Sequence, residues 1–130
     1  ATDRTPLRGR CLVWAVWLGC AGGPAAASQT LCTFAAGTPP AYHELEFIGY
    51  GDAAPLVVYS ASAWRSGQRV PLSPPHLVLE RFDPRMGAVA LEFRNPGDAS
   101  LPPSLALRGM AGRARLSVGA SVLEGDLVCD

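Results

Sequence analysis

The sequence predicts an all-β domain, a small antiparallel β-sandwich with a compact β-barrel as the alternative, preceded by a signal-like hydrophobic segment. Short apolar runs alternate inward and outward with a period of two, the signature of half-buried strands. Turn formers punctuate these runs at regular spacing, with 14 Gly and 12 Pro in 130 residues. Beyond the first segment, no window carries helical periodicity.

That first segment reads as a secretory signal. Arg4, Arg8 and Arg10 precede an apolar run at residues 11–23, and Pro24-Ala25-Ala26-Ala27-Ser28 follows it. A basic stretch, a short apolar helix former and small residues at the two positions a signal peptidase accommodates place cleavage after Ala27. A permanent membrane anchor would call for about 20 apolar residues, more than this run supplies, so no permanent span is expected. Lipidation at Cys20 is disfavoured by Leu18-Gly19-Cys20, where the leucine stands one place nearer the cysteine than the attachment pattern requires. The division is therefore 1–27 as signal peptide and 28–130 as a single β domain.

Within the domain, residues 31–34 form a first strand and Thr38-Pro39-Pro40 ends it. In residues 42–50, Leu45 and Phe47 face inward, with Glu44, Glu46 and Ile48 on the other face. Gly51-Asp52 turns the chain into the β-prone run at 56–59. Residues 64–76 hold Gly67, Pro71, Pro74 and Pro75 and are expected as one exposed loop, because proline removes a ladder donor and restricts its predecessor. Strands follow at 76–82 and 86–94, the second setting Val89, Leu91 and Phe93 against Ala88, Ala90, Glu92 and Arg94. Asn95-Pro96-Gly97-Asp98 is a turn. Residues 104–108 and 113–118 are strands, and 121–129 pairs back through Gly119-Ala120. Seven or eight such strands build a sandwich or a barrel, and alternation reads the same in both.

Cleavage after Ala27 leaves Cys32 and Cys129, a single pair that joins the first strand to the last residue but one. Such a staple suits an oxidising compartment, secreted or periplasmic, and the loop it closes is worth about 4 to 5 kcal/mol of chain entropy. No metal site is expected: there is no CxxC, and His43 and His76 stand far from both cysteines and from each other. His43, His76, Met86 and Met110 are conceivable copper ligands but are dispersed along the chain. No organic cofactor has a recognisable loop.

Charge excludes further classes. Basic and acidic residues number 11 each, which gives no field for nucleic acid, and every basic residue is Arg, which removes lysine Schiff-base chemistry and lysine phosphate loops. No serine sits in GxSxG, and no catalytic residue is assigned. Glu44 and Glu46 share a strand face at about 7 Å, near a glycosidase carboxylate separation, but read as a solvated pair. The leading expectation is an exported non-catalytic binding or assembly protein with a protein or small-molecule partner. The alternatives are a small secreted enzyme with a loop-built active site and a structural subunit of a cell-surface or periplasmic assembly. Trp64, Arg65 and Arg69 are the candidate binding residues, since Trp and Arg supply large contact area and fixed donors. The competing expectation has Trp64 plugging one end of the core while the arginines face water.

Overall fold

The computed structural model describes residues 28–130. The signal segment 1–27, its cleavage site and Cys20 lie outside the described residues. Nine strands follow in order: β1 (Gln29–Ala36), β2 (His43–Gly49), β3 (Leu56–Ala61), β4 (Val70–Leu72), β5 (Leu77–Asp83), β6 (Ala88–Phe93), β7 (Leu105–Met110), β8 (Arg113–Val118) and β9 (Ser121–Cys129).

All nine belong to one antiparallel sheet in the order β4-β3-β2-β1-β9-β8-β7-β6-β5. This corrects the expected sandwich: the sheet is nearly closed into a barrel, with one unsealed seam between β4 and β5. The alternating pattern could not separate the two folds, because it marks only which side chains face the core. Pairing of the first strand with the last decides it, through a ladder from Cys32↔Cys129 to Ala35↔Asp126.

The seam has a simple origin. Along an all-antiparallel order of nine, the two edge strands run in the same direction. They are also consecutive in the chain, joined only by residues 73–76. A crossover between parallel neighbours in a sheet needs about a dozen residues or more, so β5 carries on along the line of β4. The first part of this segment pairs with β3 and the second with β6, and the chain itself spans the seam. The result is an up-and-down meander, the connectivity by which a barrel removes most of its exposed edges.

One expected loop is partly a strand. Within 64–76, Val70–Leu72 pairs with β3, and Pro71 sits opposite Val58. Proline is tolerated there because an edge strand leaves half of its backbone donors outside the ladder.

Every strand contributes to one interior. Phe34, Leu45, Phe47, Val57, Leu91, Leu107 and Leu116 have no solvent-accessible surface, so no water-sized void touches them. Phe82 of β5 stacks on Phe47 of β2 with centroids 4.8 Å apart, packing the seam from within. Each fully buried side chain of this kind contributes about 1.5–3 kcal/mol. The barrel is filled, and the strands hold no ligand chamber among these core positions.

Cys32 and Cys129 form a disulfide, with S–S 2.09 Å and Cα atoms 4.0 Å apart. It joins directly opposed residues of β1 and β9 and so crosslinks the ladder that closes the barrel. A bond of this kind is consistent with an oxidising compartment. Among the described residues, no helix is long and apolar enough to cross a membrane.

Strand alternation sorts the connections into two ends. One end carries residues 37–42, 62–69 and 94–104 together with the Gly119-Ala120 turn; the other carries 50–55, 84–87 and Ala111-Gly112. Ala111 and Gly112 have φ of 56° and 82°, the paired left-handed conformation of a two-residue hairpin turn matched to strand twist.

Candidate functional site

The three candidate residues lie in the 62–69 connection at the first end. An isolated bridge between Ala61 and Trp64, with the Trp64 N–H donating to the Ala61 carbonyl at 3.1 Å, folds the chain back over the end of β3. Trp64 is half-buried and packs on the core, its ring 5.8 Å from that of Tyr59 and tilted by 49°. Trp64 covers the end of the core and keeps a partly exposed surface.

The two arginines separate. The Arg65 guanidinium stands over the Trp64 ring at 5.3 Å, within cation–π range. Arg69 instead donates to Glu46 of β2, whose carboxylate also accepts from the Thr30 hydroxyl at 2.5 Å. Arg69 is therefore held along the barrel wall by a neighbouring strand. Glu44, on the same face as Glu46, accepts from the Tyr42 hydroxyl at 2.8 Å, so the two glutamates have different partners and make no acid–base pair.

Arg65 sits in a single 3-10 turn, Arg65–Gly67, that has no buried residue. Arg65 and Ser66 have φ of 50° and 54°, followed by Gly67 at 81°. Left-handed backbone costs a non-glycine residue about 1–2 kcal/mol. No sequence signal marks this feature, because neither residue is a habitual left-handed former.

Beneath Trp64 lies a small polar contact that sequence reading missed. His43 Nδ1 is 3.0 Å from the Tyr59 hydroxyl. Burial pushes the Tyr59 phenol up to about 12, so it remains protonated. Burial also lowers the His43 pKa, favouring the neutral ring. Desolvation first, and then the neighbouring Glu44, raise the Tyr42 phenol.

Asn95 organises the adjoining 94–104 connection. Its side-chain amide donates to the carbonyls of Asp98, Leu101 and Pro102, and its oxygen accepts from the N–H groups of Gly97 and Asp98. Asp98 accepts from the Ser100 hydroxyl at 2.6 Å and the Ser100 N–H at 2.9 Å. These bonds hold the Asp98 carboxyl below the ordinary carboxylate range, and the Arg65 guanidinium adds to the effect. The Asn-Pro-Gly-Asp turn was legible in sequence; the fivefold use of its asparagine was not.

Two open depressions are found among the described residues. An open depression of about 580 Å³ is lined by Glu92, Arg94, Asn95, Ser104 and Ser117 among others, without histidine or cysteine. A second, of about 360 Å³, is lined by Arg108, Arg113, Ala114, Arg115 and Glu124. His76 instead presents its ring to the edge of Phe93, centroids 6.4 Å apart. Among the described residues, no group of three His, Cys, Asp or Glu side chains is placed to hold a metal ion. Met86 and Met110 belong to the end opposite His43, which separates the conceivable copper ligands.

No known family, curated protein or solved structure matches the chain. The fold and the site together define its class: a disulfide-bonded, nearly closed β-barrel with a packed interior and an aromatic-cationic loop end.

Proposed function

We propose that this chain is an exported, non-catalytic barrel that works as a structural or binding subunit in an extracytoplasmic assembly, meeting its partner through the loop end around Trp64 and Arg65. The filled interior carries this reading. With Phe34, Phe47, Leu91 and Leu107 denied any accessible surface, a ligand cannot be housed as it is in hollow barrels, and recognition falls to the outside. The disulfide between the closing strands fits a subunit that persists outside the reducing cytoplasm. A secretory signal at 1–27 would deliver it to a periplasmic or cell-surface location.

Photo-crosslinking in the producing cells tests this. A benzophenone amino acid at Gln68 or Ala99, beside the loop-end platform, is expected to trap one discrete partner in the extracytoplasmic fraction. The same group at Val128, exposed on the wall near the far end of β9, is expected to trap little. Equal labelling from wall and end, or none from either, would remove the proposed surface.

A further inference from the structure

Resting on the reading that this end meets a partner, we propose that Arg65 is a carboxylate-recognition residue, taking an acidic side chain of a partner protein while the accessible part of Trp64 makes the adjacent apolar contact. The charge pattern of the surface points to it. Arg69, Arg94, Arg108, Arg113 and Arg115 each have a carboxylate within ion-pair distance. Among the described residues no such carboxylate serves Arg65, whose guanidinium is over the Trp64 indole. Arg81 and Arg85 also lack an ion pair among the described residues, but neither is stacked on an aromatic ring, and both lie along β5 or beyond its far end.

Stacking uses the face of a guanidinium and leaves its edge donors available, and a fork of edge donors matches a carboxylate. The left-handed backbone at Arg65 and Ser66 lies in an exposed turn with no buried residue, and the Arg65 guanidinium of that turn lies on the indole. The turn that carries the two residues is closed by its own backbone, the Gly67 N–H donating to the Trp64 carbonyl and the Gln68 N–H to the Arg65 carbonyl, which lowers the ordering cost of binding. Asp98 lies close enough for Arg65 to influence it but is engaged by Ser100. Its negative charge disfavours a dianionic phosphate beside Arg65 more than a singly charged carboxylate. A single guanidinium without lysine also suits one carboxylate better than a phosphate cluster.

The test uses the full chain, labelled with nitrogen-15, and three probes: a blocked oligoglutamate peptide, its oligoglutamine counterpart and inorganic phosphate. Oligoglutamate is expected to give a saturable shift of the Trp64 indole N–H resonance, assigned with Trp64→Phe, that fades at high salt. Arg65→Gln should weaken this binding about tenfold, and Arg65→Lys, which keeps the charge but loses the fork, should restore only part of it. The thermal midpoint of Arg65→Gln should stay near that of the parent, showing an intact fold. Equal oligoglutamate affinity in parent and Arg65→Gln, equal binding of oligoglutamine, or tighter binding of phosphate would each overturn the proposal. If crosslinking from the loop end still traps a partner while Arg65→Gln changes nothing, the carboxylate assignment falls and the docking surface stands. If crosslinking also fails, both fall.

Discussion

Replacing Cys32 and Cys129 together by alanine tests what closes the barrel. The crosslink spans 97 positions, and freeing a loop of that size restores about 4 to 5 kcal/mol of chain entropy to the unfolded state. Cys32 is 1% exposed, so its lost sulfur adds a packing cost of about 1 kcal/mol. The ladder left to hold β1 against β9 has four register pairs, compared with six between β8 and β9. Against a total stability of about 5–15 kcal/mol for an ordinary domain, the expected loss is a large share, equivalent to a fall of roughly 20 °C or more in thermal midpoint. Denaturant titration of the double variant beside the parent, with and without a phosphine reductant, measures it. Reduced parent and double variant should agree within about 1 kcal/mol, the packing term. A loss below about 1 kcal/mol in the double variant would refute the reasoning, because the closing ladder would then be self-sufficient or the unfolded chain already compact.

Two further outcomes follow from local geometry. Gly125 of β9 packs so closely on β1 that an added methyl would meet the Ala35 carbonyl and the Ala36 side chain, so Gly125→Ala should cost about 1–3 kcal/mol or more by denaturant titration. Gly119→Ala meets no neighbour and pays only for its φ of 58°, about 1–2 kcal/mol; a larger loss at Gly119 than at Gly125 would contradict the packing assignment. The lowered pKa of His43 means that the unfolded chain takes up its proton first as pH falls. The His43 contribution is therefore complete above the unfolded value near 6.5, declines as pH drops through it, and levels off below the folded value. Stability measured across this window should fall less in His43→Gln than in the parent, and identical slopes would show that His43 is not the group responsible.

Much of the wall was legible in the sequence, because strand faces are read from a period of two. Leu45 and Phe47, and Val89, Leu91 and Phe93, are buried as their alternation requires. Closure was harder, since facing says nothing about which strands are neighbours. The signal that could have found it was the cysteine pair: a disulfide needs its Cα atoms within about 7 Å, so a bond from the first strand to the end of the last makes those strands neighbours. Adding short connections between successive strands turns that neighbourhood into a barrel. Pro71 hides β4 in the sequence, because proline argues against a strand paired on both sides but is tolerated at an edge, which is paired on one. At the loop end, Trp64 and Arg65 were visible as residue types, but their stacking depends on two left-handed residues without sequence signature. Arg69 was adjacent in sequence and is diverted to Glu46 by the turn that intervenes.

The charged side chains of the described wall offer little field for recognition. Across β7, β8 and β9 the exposed arginines face partners of opposite sign, with Arg113 and Asp126 at 2.6 Å and Arg115 and Glu124 at 2.8 Å. Exposed pairs contribute about 0–1 kcal/mol to stability, but their matched signs leave no broad field to attract a charged macromolecule. Addition of a partner strand would need an open, regular edge. The seam offers a three-residue β4 containing Pro71, then the Pro74-Pro75 break, then a β5 whose register shifts between Leu79 and Arg81. Short length, proline and a bulge are the features by which natural edges resist pairing with another chain. A packed interior, charge-paired arginines across β7 to β9 and interrupted edges favour the loop end, where an arginine without an ion pair among the described residues lies on a partly exposed indole.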